Sequence, residues 1–104
     1  MNLNYLQIDR QRLAEVCARY HVTTLEVFGS FVRGDADAYS DMDILATFEP
    51  DAQIGLEFVS LQQELEAVMG RPVDLLSRST VERSPNKYFR RFSLQHTELL
   101  YERA

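Results

Sequence analysis

Apolar residues recur along this chain with two different periods, and the changes of period mark out its elements. Leu13, Val16, Cys17 and Tyr20 follow the i, i+3, i+4, i+7 spacing of one helix face. Asp9 precedes them as an N-cap, and Ile8 with Leu13 can form a hydrophobic staple. The run Thr24-Leu25-Glu26-Val27-Phe28 is short and rich in β-formers, so Gly29-Ser30 is expected to end a strand and open a helix. From Asp41 to Phe48, Met42, Ile44, Ala46 and Phe48 alternate onto one face of a strand. A second helix is predicted from about 52 to 69, with Ile54, Phe58, Leu61, Leu65 and Val68 on one side and Glu57, Glu64 and Glu66 on the other. Gly70 stops it, with Pro72 two residues on. Arg71 to Leu76 reads as a buried strand with one aspartate at its centre. Ser84-Pro85 predicts a short third helix with Phe89 and Phe92 facing inward, and residues 97–101 a last strand. Helices alternating with strands over short connections predict an α/β chain in two layers.

Two of these elements carry candidate chemistry. Asp41 and Asp43 fall on the strand face opposite Met42 and Ile44, so the two carboxylates share a site. Same-face neighbours lie about 6.5 Å apart, where like charges repel by about 0.6 kcal/mol in water and about 2.5 kcal/mol at an effective dielectric of about 20. Such a pair favours a hard cation, Mg²⁺ or Mn²⁺, shared with the oxygens of a triphosphate. Ten residues earlier, Gly29-Ser30 offers helix-opening amides, a close backbone approach and a hydroxyl, which is how chains bind phosphate. Asp74 is a third acid in an otherwise apolar run, the best candidate for a general base. Three aspartates on adjacent strands could hold two divalent ions. Each piece has a plainer reading: Gly-Ser is a common turn, Asp-x-Asp is usually a solvated strand face, and a lone aspartate can be a rim residue. Their joint spacing is what favours a site.

Gly29-Ser30, ten residues, then Asp41-Met42-Asp43, with Ser40 before the first aspartate and Asp74 further on, resembles the signature of the DNA polymerase beta-type nucleotidyltransferases. The resemblance covers nearly the whole chain and is greatest to the minimal nucleotidyltransferases, the MntA-like antitoxins that accompany HEPN-domain toxins. It implies a polymerase beta-like fold, a small mixed sheet with helices packed against it. It also implies transfer of AMP from ATP, with Mg²⁺ or Mn²⁺, to a tyrosine of the toxin, silencing its ribonuclease activity. Arg33-Gly34 fits the family pattern, where the basic side chain is suited to the nucleotide phosphates. The residues so implied are Asp41, Asp43 and Asp74 for catalysis and metal, and Gly29, Ser30 and Arg33 for nucleotide. A binding module that neutralises its partner by contact alone, and a transferase acting on small molecules, are the alternatives.

Length and charge narrow the picture. At 104 residues, 1–104 reads as one minimal domain with no acceptor-binding module, so a partner must present the acceptor. The net charge is −5, yet Asp35 to Glu66 holds nine acids and no Lys or Arg, while Arg71, Arg78, Arg83, Lys87, Arg90 and Arg91 supply six of the eleven bases. That basic lobe could guide ATP, dock an acidic partner, or simply be solvated surface. A pI near 4.9 argues against nucleic acid as a direct partner. No run approaches a membrane span and no secretory leader is evident, so a cytoplasmic protein is expected, in hetero-oligomer with its toxin. The single Cys17 reads as a core thiol, and His21 and His96 are isolated.

Overall fold

A computed structural model describes residues 7–34, 36 and 40–103. Asp35 and Asp37, at the head of the acidic stretch, lie outside the described residues. Four strands, β1 (Val22–Phe28), β2 (Met42–Phe48), β3 (Val73–Ser77) and β4 (Glu98–Glu102), form one mixed sheet in the order β3-β2-β1-β4. β1 runs antiparallel to both β2 and β4, whereas β2 and β3 are parallel. Among the described residues the helices are α1 (Arg10–Arg19), α2 (Ser30–Arg33), α3 (Glu57–Met69), α4 (Arg78–Glu82) and α5 (Lys87–Leu94).

α1 begins where its cap dictates. Asp9 Oδ1 accepts the Arg12 N–H at 3.1 Å, and Leu13, Val16 and Cys17 are buried. They meet Leu61 and Leu65 of α3 over Val22, Leu25, Val27, Met42, Ile44, Ala46, Val73 and Leu75 of the sheet. Ile8 and Tyr20 pack against this core. Burial pushes the Cys17 thiol up to about 12, as expected of a core sulfur.

Several elements depart from the sequence pattern. α3 starts at Glu57 rather than near residue 52: Gly55, a poor helix former, lies in a turn where the Glu57 carboxylate accepts its N–H at 2.9 Å. Its end is as expected, at Gly70 with φ 70°. Two acids of its outer side are structural: Glu64 binds Arg19 of α1 and the hydroxyl of Tyr20, which caps α1, and Glu66 accepts the Val73 N–H at 3.0 Å. α4 was not foreseen, since its sequence Arg-Ser-Thr-Val-Glu shows no apolar period. It nevertheless carries buried Val81, which with Phe28 and Leu45 forms a smaller core flanked by Leu76 and Leu94. The sheet is therefore covered in part on its second face too, and Leu45, two residues from Asp43, is fully buried there. α5 is capped by Asn86, whose side chain accepts the Tyr88 and Phe89 N–H groups, but Phe89 and Phe92 do not face inward: they are 37% and 59% exposed.

Candidate active site

The site grows from the end of β1. After Phe28 the chain turns at Gly29, with φ 75° and ψ −141°, and α2 follows as a single turn: the Gly29 carbonyl accepts the Val32 and Arg33 N–H groups at 3.1 and 3.0 Å. Gly34, at φ 85°, closes it by donating to the Ser30 carbonyl. Phe31 pins this turn to the core, and the Arg71 guanidinium lies 4.7 Å over its ring.

Strand register then brings the acids to the same place. Phe28 pairs with Asp43, and Asp43 with Asp74, so a lateral row crosses three strands at one end of the sheet. The Met42 N–H donates to the Pro72 carbonyl at 3.0 Å, which starts the parallel ladder that sets this row. Asp41 stands just ahead of β2 and is exposed. Asp74 is exposed as well: β3 is an edge strand, so the expectation of a buried carboxylate does not hold, and what singles Asp74 out is its register beside Asp43. Neighbouring strands lie about 4.8 Å apart, and two carboxylates about 5 Å apart repel by about 0.8 kcal/mol in water and about 3 kcal/mol at an effective dielectric of about 20. Burial, then the charges of Asp74 and Asp41, raise the pKa of Asp43 above the ordinary aspartate value, while Arg33 pulls it down.

Gly29 has a role the sequence did not disclose. A Cβ there would stand 3.2 Å from Asp43 Cγ and closer still to Oδ2. The glycine leaves the space that the carboxylate occupies, and only the antiparallel register of β1 and β2 reveals it. Arg33 is exposed, with its guanidinium 5.6 Å from the centre of the Phe92 ring. Gly29, Ser30, Arg33, Asp41, Asp43 and Asp74 thus gather at one end of the sheet.

Among the described residues no group of three His, Cys, Asp or Glu side chains closes into a ready metal cage. The donor chemistry still suits a hard divalent ion: Asp43 is an anion penalised by burial and by two like neighbours, and all the donors are carboxylate oxygens. The site is an open rim. A cavity of about 740 Å³ lies instead at the far ends of β2 and β3, with Phe48, Ile54, Phe58, Ser77 and Arg83 among its walls and none of Asp41, Asp43 and Asp74. His21, at the opposite end of β1 with its Nδ1 3.4 Å from Glu49 Oε2, is remote from the acids. His96 lines a cavity of about 410 Å³ with Arg33, Thr97 and Glu98. The basic lobe is not one patch: Arg71 covers Phe31, and Arg78 pairs with Glu26 at 2.7 Å and with Glu82 at 3.9 Å. Lys87 and Arg91 on α5, and Arg83 at the end of α4, remain exposed.

The chain, with its glycine-serine turn after β1 and its acids at β2 and β3, belongs to the nucleotidyltransferase domain family, whose model matches residues 10–100. Within it the fold is that of the polymerase beta-like minimal nucleotidyltransferases. The protein adenylyltransferase MntA of Thermococcus cleftensis is 43% identical over 68 residues, 65% of this chain and 68% of that protein. A solved structure assigned as a minimal nucleotidyltransferase is 32% identical with a TM-score of 0.65, covering 94% of this chain and 95% of that one. Two toxin–antitoxin complexes share the fold at 18% identity. One contains AMP-PNP (TM-score 0.66, covering 92% of this chain and 75% of that one), and the other is a tri-AMPylated Shewanella oneidensis HEPN toxin with its MNT antitoxin (TM-score 0.56, 89% and 69%). Among the described residues no helix is long and apolar enough to cross a membrane.

Proposed function

We propose that this chain is the antitoxin of a HEPN-type toxin and silences it in the cytoplasm by transferring AMP from ATP to a tyrosine hydroxyl of the toxin. The observation that carries the reading is the row of Asp43 and Asp74 set against the Gly29-Ser30 turn. The 43% identity to a protein adenylyltransferase and the likeness of fold to a complex with a tri-AMPylated toxin support the choice of acceptor.

Asp41, Asp43 and Asp74 would hold Mg²⁺ or Mn²⁺, which when bound neutralises charge on the triphosphate. The chain's own residues do the rest. Gly29 leaves the space that the Asp43 carboxylate occupies and lets backbone approach phosphate, and Ser30 adds a hydroxyl donor. Arg33 offers its positive charge to the phosphates. Asp74, exposed on the edge strand, is open to an incoming hydroxyl and accepts its proton as the oxygen attacks the α-phosphate in line and pyrophosphate leaves.

The test uses radiolabelled ATP with the full chain, with and without the HEPN toxin. Label on a toxin tyrosine, lost in the Asp41→Asn, Asp43→Asn double variant, is the expected result. Neutralisation of the toxin with no label would establish a contact-only antitoxin, and label on a small molecule but not on the toxin would overturn the choice of acceptor.

A further inference from the structure

α5 is turned inside out. Tyr88, Arg91, Phe92 and Gln95 recur at i, i+3, i+4, i+7 and all are exposed, Tyr88 to 73%. The inward stripe is the more polar one, with Arg90 half-buried and Ser93 fully buried beside Leu94, and the Ser93 hydroxyl finds no partner among the described residues. A helix that buries serine while two aromatic rings face water has been shaped by something other than its own core.

The stripe is also continuous with the candidate site. Phe92 lies under the Arg33 guanidinium, and the charge of Arg33 acts on Asp43. Lys87 and Arg91 lie on the same helix as these aromatics, both exposed, with the Lys87 ammonium 5.5 Å from the centre of the Tyr88 ring. Aromatic side chains and arginine are what the cores of protein interfaces favour.

We propose that the outer face of α5 is the docking surface for the acceptor protein, fitting a patch of that protein that is apolar at its centre and acidic at its edge. Docking there sets the acceptor beside Arg33 and the Asp43–Asp74 row. Charge selects this occupant: the exposed cations Lys87 and Arg91 on the helix, and Arg33 over Phe92, call for carboxylates. A nucleic acid would satisfy the cations but carry its remaining phosphates past Asp41, Asp43 and Asp74 on a chain of pI 4.9, which favours protein. The identity of the acceptor rests on the AMP-transfer reading above; docking itself is measurable without it.

The experiment uses the full chain carrying Tyr88→Ser with Arg91→Glu, two exposed residues outside the candidate site. Calorimetric titration with the HEPN toxin, without ATP, should show affinity weakened at least tenfold or so, with a loss that shrinks as salt is added. Unchanged melting and unchanged AMP-PNP binding would show that fold and site are intact. Binding of the toxin within about twofold of the wild type overturns the proposal. So does loss of self-association in sedimentation, or of a tRNA gel shift, with toxin binding retained, since the occupant would then be a second copy or nucleic acid. AMP transfer failing in the wild type while α5 governs binding would sink the transfer reading alone; transfer with binding indifferent to α5 would sink the docking alone.

Discussion

Replacing Gly29 by alanine should damage the chain in two separable ways. The first is backbone strain: φ 75° with ψ −141° is a region nearly reserved for glycine, and placing another residue there costs about 1–3 kcal/mol. The second is a collision, because the new Cβ would lie 3.2 Å from Asp43 Cγ, nearer still to Oδ2, and 3.6 Å from Asp43 Cβ. The last of these is ordinary contact, so the collision belongs to the carboxylate and vanishes when Asp43 is also alanine. A double-mutant cycle on Gly29→Ala and Asp43→Ala should therefore return a coupling of at least about 1 kcal/mol, within the range of groups in contact. In melting temperature that is about 4–8 °C, the usual response of a domain near 100 residues. Gly70→Ala is the control: its φ is also positive at 70°, but nothing lies within 4 Å of its added Cβ, so it should lose only about 1 kcal/mol. Thermal and urea melts of the five proteins decide the matter. If the cycle is additive within about 0.5 kcal/mol, the Asp43 carboxylate has room to swing away, and Gly29 does not hold it.

Three further outcomes follow. Because the Asp43 pKa is raised in the fold, the folded state holds its proton to higher pH than the unfolded chain, and stability falls as pH rises between the two values; Asp43→Asn should melt above the wild type at pH 7 in EDTA, the gain fading below the ordinary aspartate pKa of about 3.9, and a lower melting point at pH 7 would refute it. Ser30→Ala should weaken AMP-PNP binding about ten- to hundredfold, the worth of one hydrogen bond to a charged group, with little change in melting; unchanged affinity in a calorimeter would remove the hydroxyl from the nucleotide site. Cys17, with its thiol pushed up to about 12, should resist iodoacetamide at pH 8 until the chain is unfolded, and modification at the rate of a free thiol would contradict its burial.

What could be read from the sequence followed from how local each signal is. The Asp9 cap, the Gly70 stop and the alternation of Met42, Ile44 and Ala46 each depend on a few consecutive residues, and each is present in the fold. α3 begins five residues later than its apolar pattern suggests, after Gly55, a poor helix former whose N–H the Glu57 carboxylate accepts in a turn. Register is the opposite case. That Asp74 lies beside Asp43, and that Gly29 leaves room for the Asp43 carboxylate, depends on how β1, β2 and β3 align, which no stretch of sequence states. The apolar run around Asp74 predicts a buried carboxylate, yet Asp74 is exposed on an edge strand, and its place in the row comes from the pairing of β2 with β3.

α5 shows why a correct element can still be turned the wrong way. Its period is helical and its ends are where Asn86 and the following strand require them. Amphipathic reasoning assigns the apolar stripe to the core on the premise that a core is the only apolar environment available. Here that side of the sheet is occupied by Phe28, Leu45 and Val81, with Leu76 and Leu94 packed against them and Ser93 buried nearby on α5. The aromatics are left on the outside, with Phe92 beneath the Arg33 guanidinium. The failure of the inward expectation at Phe89 and Phe92 is therefore itself informative, because it marks the stretch where the sequence answers to a surface other than its own interior.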